Sequence, residues 1–236
     1  MPLGSLRFTL EQLPVIAIDG PAGAGKSAVA KLVASALQLP HIDTGAMYRA
    51  LTYKAMRKDV LLEDGLMLAE LADNSMITFT ADGKTILDGI DVSDAIRSPE
   101  VSANVSAVSA HPAVRERMVD LQRAAGALGA VLEGRDIGTV VFPDAILKVF
   151  LIASDVVRAK RRQLDLQSMG VERTLEEVLE EIRRRDKFDS ERVTSPLRKA
   201  RDAKSLDTSN LTIEQVVGTI VQWANENGVG IVWQAV

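Results

Sequence analysis

The residues best suited to chemistry lie in the run Val15-Ile-Ala-Ile-Asp-Gly-Pro-Ala-Gly-Ala-Gly-Lys-Ser27. Within it, Gly20-Pro21-Ala22-Gly23-Ala24-Gly25-Lys26-Ser27, continued by Ala28, has the spacing of a phosphate-binding loop. The glycines let the backbone take positive φ angles and approach an anion closely, so that successive N–H groups point at phosphate oxygens. Lys26 is placed to reach the terminal phosphates as a point charge, and the Ser27 hydroxyl to coordinate Mg²⁺. A helix starting there turns its positive end toward the same anion. The chemistry implied is capture of a nucleoside triphosphate.

Further along, guanidinium groups recur where a second anion would need them. Arg49 follows Asp43-Thr44-Gly45-Ala46-Met47-Tyr48, at the start of an expected helix beside the loop, a good position for a bidentate phosphate clamp. Asp43 or Thr44 serves there as a helix cap or as a ligand. Gly134-Arg135-Asp136 comes directly after an apolar strand, where ligands of open parallel sheets bind. Arg158, Arg161 and Arg162 share one face of a helix, and like charges at that spacing repel unless an anion joins them. Arg183-Arg184-Arg185-Asp186 ends the next helix, with the Gln167-Ser168-Met169-Gly170 turn between the two. Together the two helices read as a hinged cover for polyphosphate. Phosphoryl transfer asks for donor and acceptor held in line, equatorial oxygens neutralised and water excluded. If the acceptor is already a phosphate, no general base is needed. The two histidines, His41 and His111, are read as structural.

These side chains need a parallel α/β scaffold. Val15 to Ile18 reads as a buried strand and Ala28 to Leu37 as a helix. Ala130 onward and Ala145 to Ala153 supply further apolar strands, Ser154 caps a helix, and Thr174-Leu-Glu-Glu177 forms a capping box. Ala203 to Leu206 and Thr212 to Asn225 read as the last strand and helix. Met76 to Val92 differs: two alternating runs joined by Asp82-Gly83 predict a β-hairpin, inserted as a small lobe into the βαβ series. Pro99 to Gly126 reads as mostly helical, with Arg115, Arg117 and Arg123 taken as solvated.

Composition sets limits on the whole. The chain has 236 residues, 47% hydrophobic and 25% charged, with net charge -4, which disfavours a dedicated nucleic-acid or membrane surface. Its positive charge is uneven, fourteen of the 28 Lys and Arg lying between Arg158 and Lys204. No cysteine is present, which removes disulfides and thiol chemistry. No apolar run approaches the roughly 20 residues of a membrane helix. Pro2-Leu3-Gly4-Ser5 resembles a remnant of tag cleavage, and the leader 1–14 is set aside on that expectation.

The phosphate loop, Asp43-Thr44-Gly45-Ala46-Met47-Tyr48-Arg49, Gly134-Arg135-Asp136-Ile137-Gly138-Thr139-Val140-Val141-Phe142-Pro143-Asp144, and Arg185-Asp186 with Asp189 and Arg192 together resemble the bacterial cytidylate kinases. The likeness runs from Val15 to the closing helix, and the Met76 to Ile90 insert resembles the extra lobe of that branch. It implies a three-layer α/β P-loop NMP-kinase fold with a central parallel sheet, an inserted NMP-binding lobe and a helical lid. It implies core segments 15–43, 107–157 and 186–236, an acceptor lobe 44–106 and a lid 158–185. The implied reaction is phosphorylation of CMP and dCMP by ATP with Mg²⁺, in a cytoplasmic monomer that binds neither nucleic acid nor membrane.

The resemblance also assigns roles. Arg49 and Arg135 hold the acceptor phosphate; Thr44, Asp136 and Arg185 contact the ribose; Ser106, Arg115 and Arg192 meet the cytosine edge, supported by Asp189. Arg158 and Arg162 belong to the lid and approach the ATP phosphates, so that Lys26, Arg135, Arg158 and Arg162 are the expected catalytic residues. Thr44 departs from the serine some members carry, with a hydroxyl expected to donate the same bond. Two rivals stand beside this reading: another P-loop phosphotransferase, or a nucleotide-dependent switch, although no Asn-Lys-x-Asp guanine signature occurs.

Overall fold

Val15–Asp19 (β1) is a short β-branched run whose side chains alternate between two buried faces, Ile16 and Ile18 toward one and Ala17 toward the other. The structure, a computed structural model, describes residues 14–80, 82–168 and 170–229. The tag-remnant expectation at Pro2 to Ser5, like all of the leader before Pro14, lies outside the described residues.

After β1 come α1 (Lys26–Leu37), β2 (His41–Asp43) and α2 (Thr44–Arg57), the last capped by the Asp43 side chain, which accepts from the Ala46 amide at 2.8 Å. Then α3 (Gly65–Asp73) leads into β3 (Ile77–Phe79), β4 (Thr85–Leu87) and β5 (Ile90–Asp91). The inserted hairpin is therefore a three-stranded antiparallel sheet, β3-β4-β5. Its first turn has Gly83 at φ 87 and its second has Gly89 at φ 84, both in the left-handed region. The third strand is two residues long, too short for alternation to reveal.

Helices α4 (Pro99–Ala110) and α5 (Pro112–Gly126) each begin with proline at the first helical position, where its missing N–H costs nothing. The remaining elements are β6 (Ala130–Gly134), β7 (Leu147–Ile152), α6 (Asp155–Ser168), α7 (Leu175–Glu191), β8 (Lys204–Asp207) and α8 (Ile213–Glu226). The capping box on Thr174 is present, and a second one forms on Thr212. Helix α7 runs unbroken past residue 185 to Glu191, so the lid boundary drawn there falls inside a continuous helix.

The main sheet has the order β2-β6-β1-β7-β8, all pairings parallel. One face packs Met47, Leu51, Val105, Val114 and Met118 from α2, α4 and α5; the other packs Val29 and Val33 of α1 with Val216 and Ile220 of α8. Two apolar faces covered by helices make the three-layer α/β fold expected. Helices α6 and α7 close a small apolar cluster of their own, built on Ala159, Val178 and Ile182. Register brings Asp19, Asp43 and the Glu133-Gly134 pair to the carboxyl ends of adjacent strands, with Asp19 beside Gly134 and Asp43 beside Glu133. That edge is where the site forms.

Candidate active site

The phosphate loop turns between β1 and α1 with Gly25 at φ 87, a conformation that strains any side-chain-bearing residue. It passes so close to β7 that a Cβ on Gly20 would collide with the Leu151 carbonyl oxygen. The Lys26 ammonium folds back to the Pro21 carbonyl at 2.8 Å. Burial, followed by the charges of Arg135 and Arg185, pulls the Lys26 pKa down to about 7. The Ser27 hydroxyl donates to Glu133 Oε2 at 2.7 Å, and the other Glu133 oxygen meets His41 Nε2 at 3.1 Å. Glu133 is only 3% exposed. Sequence reasoning gave it no role because it closes an otherwise apolar strand; an acid at the end of the strand next to the phosphate loop was the available signal.

A cavity of about 710 Å³ opens over this loop. The loop residues from Ala22 to Ala28 line it, as do Thr44, Arg49, Ser106, Arg115, Arg135, Asp136, Arg162, Arg185, Asp189 and Arg192. Residues 22–49 in sequence thus converge with residues 97–136 and 161–192 on one space. Gly20 and Pro21 do not line the cavity; they form the base of the loop beside β7.

At the end nearest the loop the charge is mostly positive. Burial and the Arg185 charge pull Arg49 down to about 10, and burial and Arg135 lower Arg185. Arg49 is held by Ser102 Oγ at 2.8 Å and the Ile96 carbonyl at 3.3 Å. Arg135 donates through Nε to Asp189 Oδ2 at 2.9 Å, and Arg135 and Arg185 outweigh burial to hold the Asp189 carboxyl below the usual range. Cations this close repel one another, and the arrangement is stabilised by an anion placed among them.

Farther in, α5 delivers Arg115, 2% exposed, to Asp136 at 2.5 Å with its guanidinium 5.3 Å from the Tyr48 ring. This corrects the expectation of a solvated Arg115: the charge is buried because Asp136 and the ring face meet it. Arg123 is likewise engaged, donating to the Val140 and Val141 carbonyls at 2.8 and 2.9 Å. Arg192 lies 3.6 Å from Asp189 and 3.9 Å from Asp136. Its Nε is fixed at 2.6 Å by the carbonyl of Ser195, a non-glycine residue at φ 51, while its buried Nη2 has no hydrogen-bond partner among the described residues. Arg135 and Asp136 do point apart, one to Asp189 and the other to Arg115.

Two expected roles meet a different geometry. Arg158 does not line the cavity: it is buried against the underside of the loop, Nη1 on the Ala22 carbonyl at 2.9 Å and Asp186 at 2.6 Å, Nε on the Ala153 carbonyl at 3.0 Å. Its neighbour Arg161 faces the cavity instead, held by Thr208 at 2.9 and 2.6 Å. Helical spacing puts the three arginines on one stripe, and only packing against residues 22, 153 and 186 divides them. The Thr44 hydroxyl donates to the Glu133 carbonyl at 2.6 Å, so its proton is committed and its oxygen keeps only acceptor capacity.

Parallel strands in this order, a glycine-rich loop after the central one holding a lysine and a hydroxyl, and a basic cavity beyond the strand ends define a P-loop phosphotransferase. Comparison with known proteins narrows the class. The family model described as Cytidylate kinase matches residues 16–226. The chain is 51% identical over 214 residues to the cytidylate kinase of Desulfitobacterium hafniense (strain Y51), covering 89% of this chain and 92% of that protein. It is 52% identical over 215 residues to the cytidylate kinase of Lactobacillus gasseri, covering 89% and 94%. A bifunctional pantoate ligase/cytidylate kinase of Synechococcus sp. (strain JA-3-3Ab) is 53% identical over 216 residues, 89% of this chain and 40% of that longer protein. The chain belongs to the cytidylate kinase family and is an enzyme of that family.

Proposed function

We propose that the cavity takes a nucleoside triphosphate at the loop and CMP or dCMP among the arginines at the same time. The enzyme phosphorylates CMP at the expense of ATP. An anionic oxygen of the acceptor phosphate attacks the γ-phosphorus, the bond from that phosphorus to the β–γ bridging oxygen breaks, and CDP and ADP result. No proton need leave a hydroxyl, which accords with a site where no histidine lines the cavity.

The observation that carries this reading is the convergence of Lys26, Arg49, Arg135, Arg162 and Arg185 on one cavity, with burial and mutual repulsion depressing Lys26, Arg49 and Arg185. Two facing phosphates supply the missing counter-charge. Arg49 and Arg135 hold the acceptor phosphate, and Lys26 and Arg162 the transferred group. Arg185, Asp136 and Thr44 hold the sugar, Thr44 as acceptor, while Ser106, Arg115 and Arg192 read the base edge, with Asp189 orienting Arg135 and Arg192. The donor base is taken by the apolar part of the lining, Leu211, Ile213 and Val216. Arg158 acts from behind the loop, tying its backbone to the helix pair that forms the lid.

The loop also suits Mg²⁺: the Ser27 hydroxyl offers an oxygen donor of the kind a hard cation takes, and the Glu133 carboxylate behind it orients that hydroxyl. Among the described residues no group of three or more His, Cys, Asp or Glu is placed to hold a metal ion. When bound, Mg²⁺ neutralises charge on the β- and γ-oxygens. Among the described residues no helix is long and apolar enough to cross a membrane. A cavity lined by residues of one chain supports a single chain as the catalytic unit, and the reading places the enzyme as a monomer in the cytoplasm. Core 15–43, 107–157 and 186–236, acceptor lobe 44–106 and lid 158–185 are its working parts.

The test is turnover with MgATP on a panel of CMP, dCMP, UMP, AMP and shikimate, reading the diphosphate formed. CDP and dCDP are expected and no product from shikimate. Absence of turnover on both CMP and dCMP would remove the reading.

A further inference from the structure

Asp19 ends β1 and is joined by one peptide bond to Gly20 of the phosphate loop, yet its side chain turns away from that loop. Its Oδ1 accepts from the Ile137 amide and its Oδ2 from the Gly138 amide, each at 2.8 Å. These amides immediately follow Arg135 and Asp136 and open the π-helical turn Ile137–Val141. One buried carboxylate, 5% exposed, therefore bridges the segment that carries the donor phosphates to the segment that presents the acceptor's ligands. Lys148, the nearest lysine beside Gly138, is already paired with Asp202 at 2.7 Å, and among the described residues no cation lies within 4 Å of Asp19.

Burying a carboxylate on backbone amides alone is costly; burial pushes its pKa up to about 6 even though both amides oppose the rise. A neutral side chain would serve the fold at lower cost. What it would not supply is a rigid two-pronged acceptor that fixes both the distance and the tilt of the neighbouring loop.

We infer that Asp19 is a positioning residue for phosphoryl transfer, setting the spacing between the phosphate loop and the Arg135-Asp136 segment; this rests on the two-nucleotide reading of the cavity. It touches neither nucleotide and acts through Arg135 and Asp136. In-line transfer needs reacting atoms about 3–3.5 Å apart, and a displacement of about 1 Å costs on the order of 100-fold. Loosening the bridge leaves each phosphate bound and misaligned, so water takes a larger share of the transferred group.

The experiment compares wild type with Asp19→Asn and Asp19→Ala, measuring kcat, KM for ATP and CMP, and the ratio of CDP formed to ADP formed. Asp19→Asn keeps the shape but turns an amide N–H toward one of the two backbone N–H groups. For folded variants the expected result is a kcat lowered by about 10- to 100-fold, KM for ATP nearly unchanged, and a CDP to ADP ratio below that of wild type. A folded variant with unchanged kcat and unchanged product ratio would overturn the inference. Loss of stability alone lowers active enzyme and leaves the ratio intact, which also counts against it. If neither variant folds, amide hydrogen exchange of wild type decides: Ile137 and Gly138 as slow as the amides of β1 supports the bridge, and exchange at the rate of exposed loops refutes it. Failure of wild type to make CDP would sink the proposed function, whereas the exchange result would still judge Asp19.

Discussion

The Ser27 hydroxyl donates a 2.7 Å hydrogen bond to Glu133 Oε2, joining the first turn of α1 to the carboxyl end of β6. His41 holds the second Glu133 oxygen from β2, so the acid has one orientation. On the proposed reading, in which Ser27 meets a cation that arrives with the donor phosphates, the cation's affinity depends on the group behind the ligand.

Glu133→Gln removes the charge and keeps the size. The Mg²⁺ concentration for half-maximal activity is expected to rise by about 10- to 100-fold, with KM for CMP little changed. A magnesium titration at saturating nucleotides measures this, and an unchanged Mg²⁺ requirement would refute it.

Arg49→Ala removes a cation held, among the described residues, only by Ser102 and the Ile96 carbonyl and otherwise open to the cavity. Loss of charge-assisted bonds worth about 1.5–3 kcal/mol lowers kcat/KM for CMP by about 10- to 100-fold. KM for ATP stays near wild type. Initial rates over a grid of both substrates separate the two, and untouched acceptor kinetics would contradict the clamp.

Arg192→Ala is expected to narrow the CMP to UMP preference, because a site built to complete a base-edge hydrogen bond rejects bases that cannot make it. The Nη2 of Arg192, without a hydrogen-bond partner among the described residues, is the donor concerned. Equal ratios of kcat/KM for the two nucleotides before and after the change would refute the assignment.

Arg115→Ala leaves the buried Asp136 without its closest cation and is expected to cost about 3–5 kcal/mol of stability. Arg115→Ala/Asp136→Ala together should cost less than the sum of the single changes. Urea melts of the four proteins test this, and simple additivity would show that the pair carries no coupling.

Asp19 also gives a pH signature. Its pKa is about 6 in the fold and near 3.8 unfolded, so between these values the folded chain binds the extra proton. Its contribution is full below pH 3.8 and is lost as pH rises through about 6, a change of about 3 kcal/mol relative to Asp19→Asn. Melts of both proteins at pH 4, 5, 6 and 7 are expected to show the gap shifting toward the variant and then levelling; a constant gap would contradict it.

How much of this was readable beforehand follows from which forces are local. The strand, turn and helix around Lys26 came from a pattern that neighbouring residues complete among themselves, and the Asp82-Gly83 hairpin likewise. Periodicity alone gave Arg115 a solvated helix face, because its partner Asp136 lies 21 residues on, across α5 and β6, whereas the resemblance put it among the residues that line the cavity. Arg158 was grouped with Arg162 by helical spacing, although one packs under the loop and the other faces the cavity. Thr44 does line the cavity, but its hydroxyl bond to the Glu133 carbonyl was not legible, because that carbonyl reaches it only through strand register. Site membership was legible where motifs carried it; the internal bracing through Glu133, Asp19 and Asp186 was not.

A crystal structure with CMP and a non-hydrolysable ATP analogue bound together bears most directly on the two facing phosphates. The expected result is a CMP phosphate within hydrogen-bonding distance of Arg49 and Arg135, in line with a γ-phosphate held by Lys26. CMP lodged away from these arginines, or bound with its phosphate turned from Lys26, would contradict it.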